Sequence, residues 1–221
     1  MKKIICFILV FSFLLLFTGC NQPKSNIEVS SFSYSEHAEI YKDNNPGVKH
    51  DGFKNTNESK LSNAEDALER AKNAGISSAV VLKKELGSQE AFENKIKELL
   101  SENEIDIIVL AGFMAILSEG FTSAYPERII NIHPSLIPSF CGKGFYGLRV
   151  HEAALEYGVK VTGATVHFVN EIPDGGKIIM QKAVYINEDD TAETLQKRVM
   201  VEAEWKILPE AVEKVSAEYS K

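Results

Sequence analysis

The stretch Ile105-Asp106-Ile107-Ile108-Val109-Leu110-Ala111 decides the fold class. Apart from Asp106 it is aliphatic, with no polar face, so it reads as a strand covered on both sides. Arg128-Ile129-Ile130-Asn131-Ile132-His133 is a second run of the same kind. Two such strands imply a parallel sheet flanked by helices. Upstream, Ser77 to Leu82 is a short apolar strand, and Gln89 to Glu102 carries Phe92, Ile96, Leu99 and Leu100 at helical spacing. Before it, Ser62-Asn63-Ala64-Glu65 has the form of a capping box opening a helix through Ala67, Leu68 and Ala71, closed at Gly75. Downstream, a helix near Leu148 to Tyr157 stops at Gly158, and Val159 to Val169 alternates with Val161, Gly163, Thr165, His167 and Val169 on one face. Asp174-Gly175-Gly176 reads as a turn and Lys177 to Ile186 as the next strand. The last helix starts near Thr191 with Asp190 as its N-cap, and Pro209 is expected to break it. The expected architecture is α/β with a mostly parallel sheet.

The beginning of the chain is of another character. Lys2 and Lys3 precede the apolar run Ile4 to Phe17, followed by Thr18, Gly19 and Cys20, the order of a secretory signal. Leu16-Phe17-Thr18-Gly19-Cys20 resembles a bacterial lipobox, which implies a signal peptide over residues 1–19 and lipidation of Cys20. A membrane-spanning anchor is the alternative, although the run is short for one. Residues 20–62 are polar, with Phe32, Tyr34, Tyr41 and Phe53 scattered among Ser, Asn, Lys and Glu. They read as a linker or a foreign fragment, because so little apolar surface cannot offset chain entropy. Residues 63–221 form the folded unit.

Whole-chain properties narrow the partners. A net charge of −7 over 221 residues, without a Lys/Arg cluster beyond the extreme N-terminus, argues against a nucleic-acid surface. Cys6, Cys20 and Cys141 are too few and too scattered for a disulfide framework or a zinc site, so no metal is expected. A small-molecule partner is favoured.

Asn131 and His133 stand two apart on a strand, so their side chains leave the same face at its carboxyl end, where open α/β sheets bind ligands. Asn-x-His alone is commonly a hydrogen-bonded structural pair. Asp174 alone would be a turn residue before glycine. If the fold brings them together, as the resemblance given next implies, an amide donor, an imidazole and a carboxylate would suit transfer of an acyl group to an amine: fixed donors meet the oxygen that gains charge, and the imidazole moves the proton the amine loses. A carboxylate beside His133 is expected to raise its pKa and keep it charged near neutrality.

The string Asn131-Ile132-His133-Pro134-Ser135-Leu136-Ile137-Pro138-Ser139-Phe140 resembles the folate-dependent formyltransferase family, whose site combines an asparagine, a histidine and a distant aspartate. Asp174-Gly175-Gly176 before Lys177-Ile178-Ile179 matches the aspartate turn. Leu110-Ala111-Gly112-Phe113-Met114, Ile116-Leu117-Ser118 and Val161-Thr162-Gly163-Ala164-Thr165-Val166-His167-Phe168-Val169 resemble the glycinamide ribonucleotide branch. Phe140-Cys141-Gly142-Lys143-Gly144-Phe145-Tyr146-Gly147 stands where methionyl-tRNA formyltransferases carry an Arg-Trp-Arg-Gly type sequence, and Pro134 where deformylases usually place a second histidine.

The resemblance implies a formyltransferase-type Rossmann-like fold and 10-formyltetrahydrofolate as formyl donor, with glycinamide ribonucleotide as the acceptor in purine biosynthesis. It implies Asn131, His133 and Asp174 as the catalytic trio. Folate would lie against Met114, Ala115, Ile116 and Leu117, with Asn131 also facing it; Met114 and Leu117 can equally be core residues. Position 115 is commonly arginine in the family, and Gln89 stands where an arginine usually contacts the folate. Glu204 matches an acidic residue near the ribonucleotide, followed here by Trp205 where histidine is usual.

The family also opens with a strand and a Gly-Ser-Gly-x-Asn-type loop that binds the substrate's phosphate, and residues 21–62 match neither. The resemblance begins near Ala67-Leu68-Glu69-Arg70-Ala71-Lys72-Asn73-Ala74-Gly75-Ile76. The expectation is a partial domain lacking its first strands, fused to a lipoprotein start. The Ser77 strand would then be separated from the Ile105 strand or paired directly with it. The family's enzymes are expected in the cytoplasm, whereas the lipobox implies a membrane anchor.

Overall fold

The computed structural model describes residues 76–219, residues 68–69 and 71–73, and the backbone of residues 4–10 and 13–18. Cys20, residues 20–62, the Ser62 to Glu65 capping box and Gly75 lie outside the described residues. The described strands are β1 (Ile4–Val10), β2 (Phe13–Thr18), β3 (Ser77–Leu82), β4 (Ile107–Ala111), β5 (Ile129–His133), β6 (Val161–Phe168) and β7 (Ile178–Tyr185). They form one sheet in the order β3-β2-β1-β4-β5-β6-β7. The described helices are α1 (Lys83–Leu86), α2 (Gln89–Glu102), α3 (Glu119–Thr122), α4 (Leu148–Tyr157), α5 (Ala192–Val199) and α6 (Trp205–Glu218), with a π-helical turn Met200–Glu204 before α6.

The β4 run is buried from Ile107 to Leu110, and its alternate residues serve two cores. Ile108 and Leu110 pack with Val81, Phe92, Ile96 and Phe121 on the α2 side. Ile107 and Val109 pack with Ile130, Val166, Leu195 and Val199 on the α5 and α6 side. That two-sided burial is why the run carries no polar alternation.

The class is α/β as expected, and the sheet is mixed. Parallel pairing joins β1 to β4 and β4 to β5, whereas β1–β2, β2–β3, β5–β6 and β6–β7 are antiparallel. β6 and β7 are joined through the short Asp174 turn, and so tight a connection returns the chain antiparallel. β3 does not pair with β4: β1 and β2, drawn from the apolar N-terminal run, lie between them.

Two expectations about the last helix change. The N-cap is Thr191, whose side chain accepts from the Thr194 amide while Thr194 answers the Thr191 amide. Asp190 instead binds Arg198 and accepts from the Thr194 hydroxyl. Pro209 lies inside α6 without ending it. A π-helical turn, Met200–Glu204, lies just upstream.

Candidate functional site

Asn131 and His133 end β5, and the antiparallel register sets Asn131 opposite His167 and His133 opposite Thr165 on β6. Asp174 reaches the same place from the β6–β7 turn. It adopts φ +56°, a left-handed conformation that short polar side chains tolerate. Gly176 lets the turn lie against β6, because a Cβ there would sit 1.7 Å from the Phe168 carbonyl oxygen.

These residues form one connected set. Asp174 Oδ2 lies 3.5 Å from His133 Nδ1, and its Oδ1 lies 3.6 Å from His167 Nε2. The Gly142 amide donates to Oδ2 at 2.8 Å, which binds the 138–147 loop to the turn. His167 Nδ1 is 2.8 Å from the Phe168 carbonyl, an acceptor only, so that nitrogen carries the proton and Nε2 accepts. Asn131 Nδ2 donates to that Nε2 at 3.1 Å. The second hydrogen of the Asn131 amide remains to be offered elsewhere.

His133 Nε2 stands 2.9 Å from the Phe140 carbonyl. Burial pulls its pKa below the ordinary histidine value; Asp174 and the Phe140 carbonyl oppose that without reversing it, and His167 adds to it. The expected upward shift is therefore corrected, because desolvation of a nearly enclosed imidazole outweighs the carboxylate. Near neutrality this favours the neutral imidazole. Asp174 is pushed up by burial but ends below the usual carboxylate range, because the adjacent imidazoles of His167 and His133 and the Gly142 amide favour its ionised form. The carboxylate is charged and the imidazole is ready to take a proton.

Two histidines beyond the expected trio belong here. His167 orients Asn131, and the alternation of β6 already set it on the face of Thr165. His151, on α4, is fully buried with both ring nitrogens unpartnered, and burial, reinforced by His133, pushes its pKa down to about 4. Nothing in its local pattern distinguishes it from a core residue of a helix. Beneath the trio, Thr165 fixes the loop after β5: its hydroxyl donates to the Ser135 carbonyl at 2.6 Å and accepts from the Ile137 amide at 3.0 Å.

The loop expected to meet folate is split by packing. Ile116 is 60% exposed and Met114 38%, while Ala115 is half-buried and Leu117 is 7% exposed within the α2-side core. Leu117 is an anchor of the loop and no part of its open face. Glu204 lies in the π-helical turn, half-buried, and desolvation pushes its carboxyl up to about 7. No described contact joins it to the trio. Among the described residues, no group of three or more His, Cys, Asp and Glu is placed to hold a metal ion.

A family model described as formyl transferase matches residues 48–212. The chain belongs to the formyl transferase family. It is 41% identical over 151 residues to phosphoribosylglycinamide formyltransferase of Haemophilus influenzae, covering 67% of this chain and 68% of that protein. It is 46% identical over 150 residues to the bovine trifunctional purine biosynthetic protein adenosine-3, covering 68% of this chain but 14% of that much longer protein. The crystal structure of phosphoribosylglycinamide formyltransferase from Brucella melitensis superposes with a TM-score of 0.61 at 44% identity, covering 68% of this chain and 74% of that one. Two of these relatives are named as phosphoribosylglycinamide formyltransferases and one as a purine biosynthetic protein, and the Brucella melitensis structure shares its α/β fold with this chain.

Proposed function

We propose that this chain transfers a formyl group from 10-formyltetrahydrofolate to the amine of glycinamide ribonucleotide. The observation that carries the reading is the Asp174 carboxylate facing both His133 and His167, with Asn131 tied to His167, at the carboxyl end of β5. 10-Formyltetrahydrofolate supplies the formyl carbon when bound. The exposed Met114 and Ile116 offer it apolar cover, with Ala115 between them and Leu117 holding the loop down. Glu204 is assigned to the ribonucleotide side, where a carboxyl near pKa 7 can accept or donate a hydrogen bond to a hydroxyl.

The acceptor amine forms a bond to the formyl carbon as the folate nitrogen's bond to that carbon breaks. Asn131 directs its free amide hydrogen at the oxygen that gains negative charge on the way. His133, neutral at the start with its Nε2–H on the Phe140 carbonyl, takes the proton that the amine loses at Nδ1, beside Asp174, and returns it to the departing nitrogen. Asp174 stabilises the imidazolium between those steps, and His167 keeps Asn131 in place. Formylation of glycinamide ribonucleotide by the full chain, followed as tetrahydrofolate release, tests the reading. No turnover by a chain that binds both substrates would sink it.

A second reading rests on Leu16-Phe17-Thr18-Gly19-Cys20. It makes the chain a membrane-anchored lipoprotein, acylated at Cys20, whose formyl transferase unit is a nonfunctional or merely folate-binding remnant. The two readings compete for the same residues, because cleavage before Cys20 removes the segments that form β1 and β2 between β3 and β4. Mass spectrometry of the mature N-terminus separates them: an acylated Cys20 in the membrane fraction supports anchoring, and a soluble chain that retains residues 1–19 sinks it.

A further inference from the structure

Glu93 is a buried carboxylate on α2, 5% exposed, outside the Asp174 site. Its oxygens are filled by one loop and one neighbour. The Ser118 amide donates to Oε1 at 2.7 Å and the Ser118 hydroxyl donates to Oε2. Gln89 Nε2 donates to Oε1 as well, and to the Ile116 carbonyl at 3.1 Å. Lys83 in turn donates to Gln89 Oε1. Burial raises the Glu93 carboxyl, but the hydrogen bonds from Ser118 and Gln89, with the charge of Lys97, leave it below its ordinary value. It is charged at neutral pH.

The position of this set gives it a task. Ser118 follows the loop Met114 to Leu117 and caps α3, accepting from the Phe121 amide. On one side the loop is pinned by Leu117 in the core. On the other lies a cavity of about 340 Å³ lined by Gln89, Glu93, Asn94, Lys97, Ser118 and Gly120. Close packing is missing on that side, so directional hydrogen bonds to a charged group must hold the backbone. Gln89 gives its amide to the loop instead of presenting a cation to a ligand.

We infer that Glu93, with Gln89, is a positioning residue that clamps the 114–118 loop in the conformation that binds folate. The inference rests on the proposed folate contact of that loop. Charge at Glu93 is essential, because a neutral amide would turn a donor toward the Ser118 hydroxyl and amide or accept more weakly.

The test measures dissociation constants of the full-length chain for tetrahydrofolate and for glycinamide ribonucleotide by calorimetry. Glu93→Gln and Ser118→Ala are each expected to weaken tetrahydrofolate binding about tenfold and to leave ribonucleotide binding within twofold. The double variant is expected to be no weaker than the worse single one, since both remove one interaction. Ser118→Ala keeps the test alive if Glu93→Gln does not fold. Tetrahydrofolate binding within twofold in both variants, or parallel loss for both ligands, overturns the clamp. Ile116→Glu, on the exposed face of the loop, isolates the premise: unchanged tetrahydrofolate affinity there refutes the folate reading itself. Loss in Ile116→Glu with no loss in Glu93→Gln refutes the clamp alone.

Discussion

Glu93 and Asp174 are two enclosed carboxylates, both held below their ordinary pKa, with different neighbours. Glu93 faces a hydroxyl and amides, groups that do not exchange protons near neutrality. Asp174 faces two imidazoles, a side-chain type that can act as acid or base. The same burial penalty is offset in one place by fixed donors and in the other by groups whose charge can change. A carboxylate among fixed donors is suited to hold backbone; one among imidazoles is suited to steady a moving proton.

The largest effect should follow from breaking the second arrangement. Asp174→Asn leaves the imidazolium of His133 unsupported, and turnover at saturating substrates should fall about a thousandfold. A loss under tenfold in a steady-state assay would remove Asp174 from the proton path. On the loop side, Leu117→Ala empties a core position and should cost about 3 kcal/mol in urea unfolding, whereas Ile116→Ala on the exposed face should cost under about 0.5 kcal/mol. Equal costs would show that the loop is not divided into an anchor and an open face.

The imidazole side should also show itself in pH. His151 has a folded pKa of about 4 against an ordinary value of 6.5, so between those limits the unfolded chain binds the extra proton. Stability should be complete above pH 6.5 and fall as pH drops toward 4, by on the order of 3 kcal/mol from this group. His133, shifted in the same direction, adds to the slope. In His151→Phe the denaturant midpoint should vary distinctly less over that window; an unchanged slope would place the titration elsewhere. A modest loss belongs to the clamp: Ser118→Ala removes a helix N-cap and a partner of Glu93, and should lower stability by about 1 kcal/mol. No change in the unfolding midpoint would mean that the cap hydrogen bond contributes nothing.

Much of this was legible along the chain, and the gaps have physical causes. Ser77 to Leu82, Gln89 to Glu102 and Leu148 to Tyr157 are bounded in the structure as their periods and glycine stops indicated. Strand direction was less legible, because a run buried on both faces looks alike in parallel and antiparallel neighbours. The local pattern does not separate Thr191 from Asp190 as N-cap, since either side chain can cap and only Arg198, about two turns further on, draws Asp190 away.

The α/β class, the strand that carries Asn131 and His133, and the turn that carries Asp174 can all be read along the chain. Periodicity and local turn chemistry act over neighbouring residues, and those features need nothing more. Packing in three dimensions sets the rest: His167 beside Asn131, Glu93 against Ser118, the N-terminal run between β3 and β4, and the downward shift of the His133 pKa. Each of these depends on burial or on partners far away in the chain, and the sign of the His133 shift depends on both.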